Sequence, residues 1–349
     1  MTPLERIIRK MIAADGPMAL DRYMELCLGH PQYGYYMTRD PLGAAGDFTT
    51  APEISQVFGE LIGVWVAQVW HDMGSPAVFS LVELGPGRGT LMKDLLRATA
   101  KVPGLHAAIA VHLVETSPVL RSLQKTSLGH ATWHESVASL PAQPSIIVAN
   151  EFFDALPVKQ YQKKGGKISE IRIGIENGQL AFGLAATTKD VPMLADGVFE
   201  LALQRSEIAI SLGHLLSSQG GAALVIDYGH RKSAMGDTVQ AMKDHDYCGV
   251  LDSPGDADIT SHVDFQQLAK AFRAANCGVA PVLTQGEFLL GLGLAIRAET
   301  LTRSLAATER DKFSSGIKRL ADDTEMGQLF KVMAVTGPGQ PVPYPFGVA

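Results

Sequence analysis

The chain has 349 residues, 46% of them hydrophobic and 19% charged, the proportions of a folded globular protein rather than a disordered or fibrous one. With 36 acidic against 30 basic side chains the net charge is −6, which gives no general attraction to phosphate backbones and disfavours wholesale nucleic-acid binding. Cys27, Cys248 and Cys277 lie far apart without a CxxC pair, so neither a disulfide framework nor a metal site is expected, and no apolar run reaches the ~20 residues of a membrane span.

At roughly 150 residues per domain the length predicts two domains, or one large α/β domain with an insertion. Leu4, Ile7, Ile8, Met11 and Ile12 recur at helical spacing until Gly16-Pro17, and the acids Glu5 and Asp15 mark this as a first folded helix rather than a transit peptide. A second helix is predicted over 20–28. The stretch 30–50, rich in glycine and tyrosine, has no period, and a lid over a ligand is expected there. Residues 52–70 read as one helix with Glu53 in its first turn, and Phe58, Trp65 and Trp70 as its core positions.

Apolar strands then alternate with helices. Strands are predicted at 79–84, 109–114, 132–134, 146–149 and 222–226, which means a parallel sheet covered on both faces. Between the last two, residues 158–184 switch to period two with turns at Gly165-Gly166 and Asn177-Gly178, an antiparallel β-meander inserted into the sheet domain. A helix over 263–276, a strand near 282, helices through 323 and a strand over 330–335 complete the pattern. The expected organisation is N-terminal helices and lid over 1–75, a sheet domain over 76–336 with its insertion at about 158–186, and a loose tail at 337–349.

The strongest local signal is Glu83-Leu84-Gly85-Pro86-Gly87-Arg88-Gly89-Thr90 at a strand-to-helix junction. Glycines are needed where a ligand presses on backbone, and a helix N-terminus offers unpaired N–H donors, so a ligand is expected at this loop. The spacing departs from the dinucleotide GxGxxG, and Glu83 would repel a pyrophosphate while suiting a cation such as the amino group of S-adenosylmethionine. Glu115 ends the second strand, where doubly wound folds place an acid on the ribose hydroxyls.

The fourth strand runs into Asn150-Glu151-Phe152-Phe153-Asp154-Ala155-Leu156-Pro157, at the sheet edge that borders the ligand crevice. Two carboxylates there suit a guanidinium, whose planar fork of donors pairs bidentately with carboxylate; the plainer alternative is that Asn150 or Asp154 caps a helix. His262, among Asp258-Ile259-Thr260-Ser261-His262-Val263-Asp264, is placed to orient a carboxylate or accept a proton, unless Ser261 or Asp264 simply caps the following helix. Asp244-His245-Asp246-Tyr247-Cys248 has metal-binding residue types without metal spacing and reads as a loop.

Six segments, Gly46-Asp47-Phe48-Thr49-Thr50-Ala51-Pro52-Glu53-Ile54-Ser55, the Glu83 to Thr90 loop, His112 to Pro118, Asn150 to Pro157, Ile226 to His230 and Thr260 to Phe265, together resemble the MidA family of class I S-adenosylmethionine-dependent methyltransferases. The resemblance spans about residues 4–336. It implies an α/β, Rossmann-like seven-stranded methyltransferase sheet with an N-terminal helical and lid region and the inserted β-meander. It also implies arginine methylation of a protein, in mitochondrial members a respiratory complex I subunit; this chain reads as a bacterial, cytoplasmic relative. Under this reading Glu83, Gly85, Gly87, Gly89, Thr90, Glu115, Asn150, Phe48 and Thr49 bind S-adenosylmethionine, and Glu151, Asp154 and His262 serve the transfer. Amino methylation of a nucleobase, or a cofactor-binding assembly chaperone with little turnover, are the rival functions.

Overall fold

The computed structural model describes residues 1–41, 43, 49–189, 191 and 195–347. The chain forms two compact units, one of Met1–Phe48, Asp154–Glu207 and Lys232–His262, the other of Thr49–Phe153, Ile208–Arg231 and Val263–Ala349. Among the described residues no helix is long and apolar enough to cross a membrane.

Among the described residues the larger unit is built on nine strands: β1 (Phe79–Leu84), β2 (Ile109–Val114), β3 (Thr132–His134), β4 (Ser145–Asn150), β5 (Gly221–His230), β6 (Val263–Asp264), β7 (Gly278–Val279), β8 (Leu283–Thr284) and β9 (Phe330–Thr336). Seven lie on the main path in the order β7-β9-β5-β4-β1-β2-β3, with β6 beside β5 and β8 beside β9. β1 to β5 run parallel, whereas β9 lies antiparallel against β5. Every residue of β1 and β4 is buried, which explains their largely apolar sequences, as in parallel strands covered on both faces. The chain leaves β1 toward β2 and β3 and then returns to β4 on the other side. The carboxyl ends of β1 and β4 therefore flank the point where strand order reverses, the ligand crevice of doubly wound sheets.

The helix Gln56–Asp72 buries Phe58, Trp65 and Trp70 as their spacing predicts. Gly59 and Gly63 let it approach the helix Thr90–Thr99 closely, since a Cβ at Gly59 would stand 2.7 Å from that of Asp94. The single helix read at 52–70 is in fact two, Ala51–Ile54 and Gln56–Asp72. Ser55 is extended between them and its hydroxyl accepts the Val57 N–H at 3.3 Å, the local competition by which serine starts helices rather than continuing them. Similarly the helix read from 263 begins at Phe265, because Val263 and Asp264 pair with Gly229 and His230 and the Asp264 carboxylate caps the Gln267 N–H. The tail beyond 337 is anchored, contrary to its loose composition: Phe346 is buried against Phe288, and the Tyr344 hydroxyl donates to the Gly291 carbonyl.

In the smaller unit the helices Pro3–Asp15 and Leu20–Gly29 cover a five-stranded antiparallel sheet. Its meander is Lys159–Lys164, Lys167–Glu176 and Gln179–Ala186, turning at Gly165-Gly166 and Asn177-Gly178, all four with positive φ as tight hairpins require. Gly197–Leu201 returns to pair with Lys159–Lys164, and Met18–Ala19 adds to the long central strand. A second, three-stranded sheet contains Gln240–Lys243, Asp246–Cys248 and Asp258–Thr260, with Asp244 and His245 as its left-handed hairpin turn.

Candidate cofactor and acceptor site

The glycine loop leaves β1 with Gly85, Gly87 and Gly89 at φ of +60°, +53° and +80°. These backbone angles require glycine before any ligand is considered. A Cβ at Gly85 would lie 3.0 Å from the Phe152 ring, and one at Gly89 3.1 Å from the Leu128 side chain. Beside the ligand approach expected of these glycines, protein conformation and packing account for Gly85 and Gly89 directly. Thr90 opens the helix that follows, and its hydroxyl donates to Glu53 Oε1 at 2.5 Å, with Arg88 3.8 Å from the other Glu53 oxygen. Glu53, which sequence reasoning placed only in a helix turn, thus anchors the loop.

Glu83, at the end of β1, is 3% exposed, and burial pushes its carboxyl up to about 8, with the Met92 backbone N–H opposing and Glu115 adding to the rise. Its Oε2 is buried without a hydrogen-bond partner among the described residues, and so is Oδ1 of Asn150 at the end of β4. Two buried acceptors on adjacent strands call for a ligand rich in donors, and an ammonium group fits that demand. Glu115 follows β2; its Oε1 accepts the Ser117 N–H at 2.8 Å and its Oε2 the Gln124 amide at 3.2 Å. Burial raises its pKa against these donors. Each carboxylate oxygen keeps a further lone pair, as two ribose hydroxyls would need.

Glu151 occupies the left-handed region at φ of +49°, a conformation that costs a non-glycine residue about 1 kcal/mol or more and clusters at functional sites. The strain is over-determined by its surroundings. Its backbone N–H donates to Ile226 at 2.9 Å, its Oε1 accepts the Ala51 N–H at 3.1 Å and the Asn150 amide at 3.2 Å, and two residues on, the Phe153 N–H is held by Asp227. Thr49, half-buried, lies two residues before Ala51, while Phe48 falls outside the described residues.

The larger unit therefore brings together Glu83, the glycine loop, Thr90, Glu115, Asn150 and Glu151. Asp154 and His262 belong to the smaller unit. There the Asp154 carbonyl accepts the Ser261 N–H at 3.1 Å, and buried Arg205 donates to the carbonyls of Asp154, Leu156, Ser261 and His262 and to the Ser261 hydroxyl. The His262 N–H donates to Thr238, and the Tyr36 hydroxyl donates to Asp258 at 2.9 Å. The helix cap weighed for this segment is real but belongs to Asp264, and His262 is half-buried. Arg205 escaped the sequence reading because nothing local distinguishes it from a surface arginine.

Strand order, the glycine loop, the acid on β1 and the acid just after β2 define a class I S-adenosylmethionine-dependent methyltransferase. Residues 61–282 match the family described as "Putative S-adenosyl-L-methionine-dependent methyltransferase". The chain is 35% identical to the mitochondrial protein arginine methyltransferase NDUFAF7 homolog of Drosophila melanogaster over 95% of its own length and 84% of the relative's, and 34% identical to NDUFAF7 of Homo sapiens over 96% and 83%. A crystal structure of a likely methyl transferase from Burkholderia thailandensis, bound to S-adenosyl-homocysteine, superposes with a TM-score of 0.84 at 26% identity, covering 97% of this chain and 93% of that one. The chain belongs to this family, the MidA methyltransferases its motifs resemble, and its methyl donor is S-adenosylmethionine.

Proposed function

We propose that the protein methylates an arginine side chain of a protein substrate, with a respiratory complex I subunit as the acceptor and the bacterial cytoplasm as the setting. The names of its relatives support the arginine, and the spacing of the three cysteines supports a reducing compartment. The observation that carries the reading is Glu151: an acid held in a strained conformation at the end of β4, its orientation set by the Ala51 N–H.

When bound, S-adenosylmethionine supplies a methyl group on a sulfonium, already joined to a good leaving group. The chain's work is alignment and exclusion of water. Glu83 Oε2 and Asn150 Oδ1 would accept from the ammonium of the cofactor, Glu115 would accept from its ribose hydroxyls, and Gly85, Gly87 and Gly89 would shape the loop beside it. Glu151 would accept an N–H of the guanidinium and fix the direction of the attacking nitrogen; as the N–CH₃ bond formed, the S–CH₃ bond would break with its electron pair left on sulfur, and Glu151 would take up the proton that leaves the nitrogen. Asp154 and His262 are proposed as further catalytic residues, and Arg205 holds both of their segments.

Labelled methyl transfer by the full chain to membrane-extracted respiratory complex I, compared with purified DNA and RNA, tests the proposal. Label on complex I, mapped to arginine by peptide mass spectrometry, is the expected result; label on nucleic acid alone would replace it with the nucleobase reading, and no transfer to any of them with the chaperone reading.

A further inference from the structure

Gln124 lies within the helix Pro118–Leu128 and is fully buried, nine residues beyond Glu115 and outside every motif of the sequence. Its Nε2 donates to the Gly87 carbonyl at 2.7 Å and to Glu115 Oε2 at 3.2 Å, and its Oε1 accepts the indole N–H of Trp133 at 2.8 Å. A primary amide has one acceptor and two donors, so only one of its two flips satisfies all three partners. Turned over, it would set its oxygen against two acceptors and its NH₂ against the indole N–H. The three partners together select the orientation, which delivers one donor to the glycine loop and one to the acid.

The geometry of Glu115 depends on this amide. One carboxylate oxygen is held by the Ser117 N–H and the other by Gln124, so the carboxylate plane is set by two donors, one on each oxygen. We propose that Gln124 is a positioning residue for cofactor recognition: it fixes the plane in which Glu115 meets the ribose hydroxyls and couples that acid to the glycine loop through Gly87. The inference rests on the reading of Glu115 as the ribose acid.

A buried glutamine with a purely structural role would, on removal, lower stability and affinity without changing which ribose hydroxyls are recognised. Discrimination between ligands separates the two roles. Calorimetry on the full chain would measure the affinity of S-adenosylhomocysteine and of its 2′-deoxy and 3′-deoxy analogues, for wild type, Gln124→Met and Gln124→Leu. Wild type should lose about tenfold or more on removal of a hydroxyl bound to a carboxylate. Gln124→Met should bind S-adenosylhomocysteine about tenfold more weakly and lose most of that discrimination, because Glu115 can no longer present both oxygens at once. Gln124→Leu removes the same donors with a different side-chain shape and should give the same pattern. Should Gln124→Met fail to fold, Gln124→Leu decides. Full hydroxyl discrimination in either folded variant overturns the positioning role. Absence of discrimination in wild type would instead overturn the ribose reading of Glu115, and the inference with it.

Discussion

The backbone N–H of Ala51 donates to Oε1 of Glu151 at 3.1 Å, so the acid at the end of β4 takes its orientation from a residue 100 positions earlier in the chain. Glu151→Gln retains an oxygen able to accept that N–H while losing the charge that would hold a guanidinium. It should cut methyl transfer by about a hundredfold or more, the scale of a removed catalytic group, with S-adenosylhomocysteine affinity nearly unchanged. Parallel loss of cofactor affinity and rate would move Glu151 into the cofactor site.

The left-handed backbone of Glu151 gives a separate test. Glu151→Ala and Glu151→Gly both delete the carboxylate, but only glycine relaxes the positive φ. The glycine variant should unfold at higher denaturant than the alanine one, by about 1 kcal/mol, although both lack activity. Equal stabilities would mean that the backbone relaxes around alanine without cost.

Glu83 makes stability and binding depend on pH. Its carboxyl titrates at about 8 in the folded chain against an ordinary value of 4.5, so the native state holds the proton more tightly than the unfolded one. Its contribution to stability is therefore fully present below about 4.5 and lost as pH rises toward about 8. An arriving ammonium displaces that proton, so S-adenosylhomocysteine affinity should rise with pH up to about the same value. Glu83→Gln should flatten both profiles, monitored by thermal denaturation and by calorimetry; an unaltered affinity profile would remove the ammonium from Glu83.

Arg205 donates from two guanidinium nitrogens to the carbonyls of Asp154 and His262 and, beside them, to Leu156 and Ser261. Arg205→Met should cost about 3 kcal/mol or more, because several buried carbonyls lose their donor together. Arg205→Lys should recover little of it, since an ammonium is a point donor that cannot reproduce a planar fork. A loss below about 1 kcal/mol in urea denaturation would show that other contacts hold these segments.

What the residues determined alone is what depends on near neighbours. The apolar runs of β1 and β4, the glycines at 85, 87 and 89 and the paired turns at Gly165-Gly166 and Asn177-Gly178 carry their conformations within a few positions, and the strand–helix alternation then dictates a doubly wound sheet. Asn150 and Glu151 were legible because a polar pair directly after Ile-Ile-Val-Ala has no place in a core. The tertiary structure decided which groups meet across long separations. Gln124 reaches Gly87 over 37 positions and Arg205 reaches Asp154 over 51, and nothing in the flanking residues of either announces it. Glu151 and Asp154, three residues apart in one motif, likewise take distant partners: the Glu151 N–H donates to Ile226 and its Oε1 accepts from Ala51, whereas the Asp154 carbonyl accepts from Ser261 and Arg205. Local preference sets the conformation of a segment; the partners of its buried polar atoms are set by crossover connections that bring distant strands side by side.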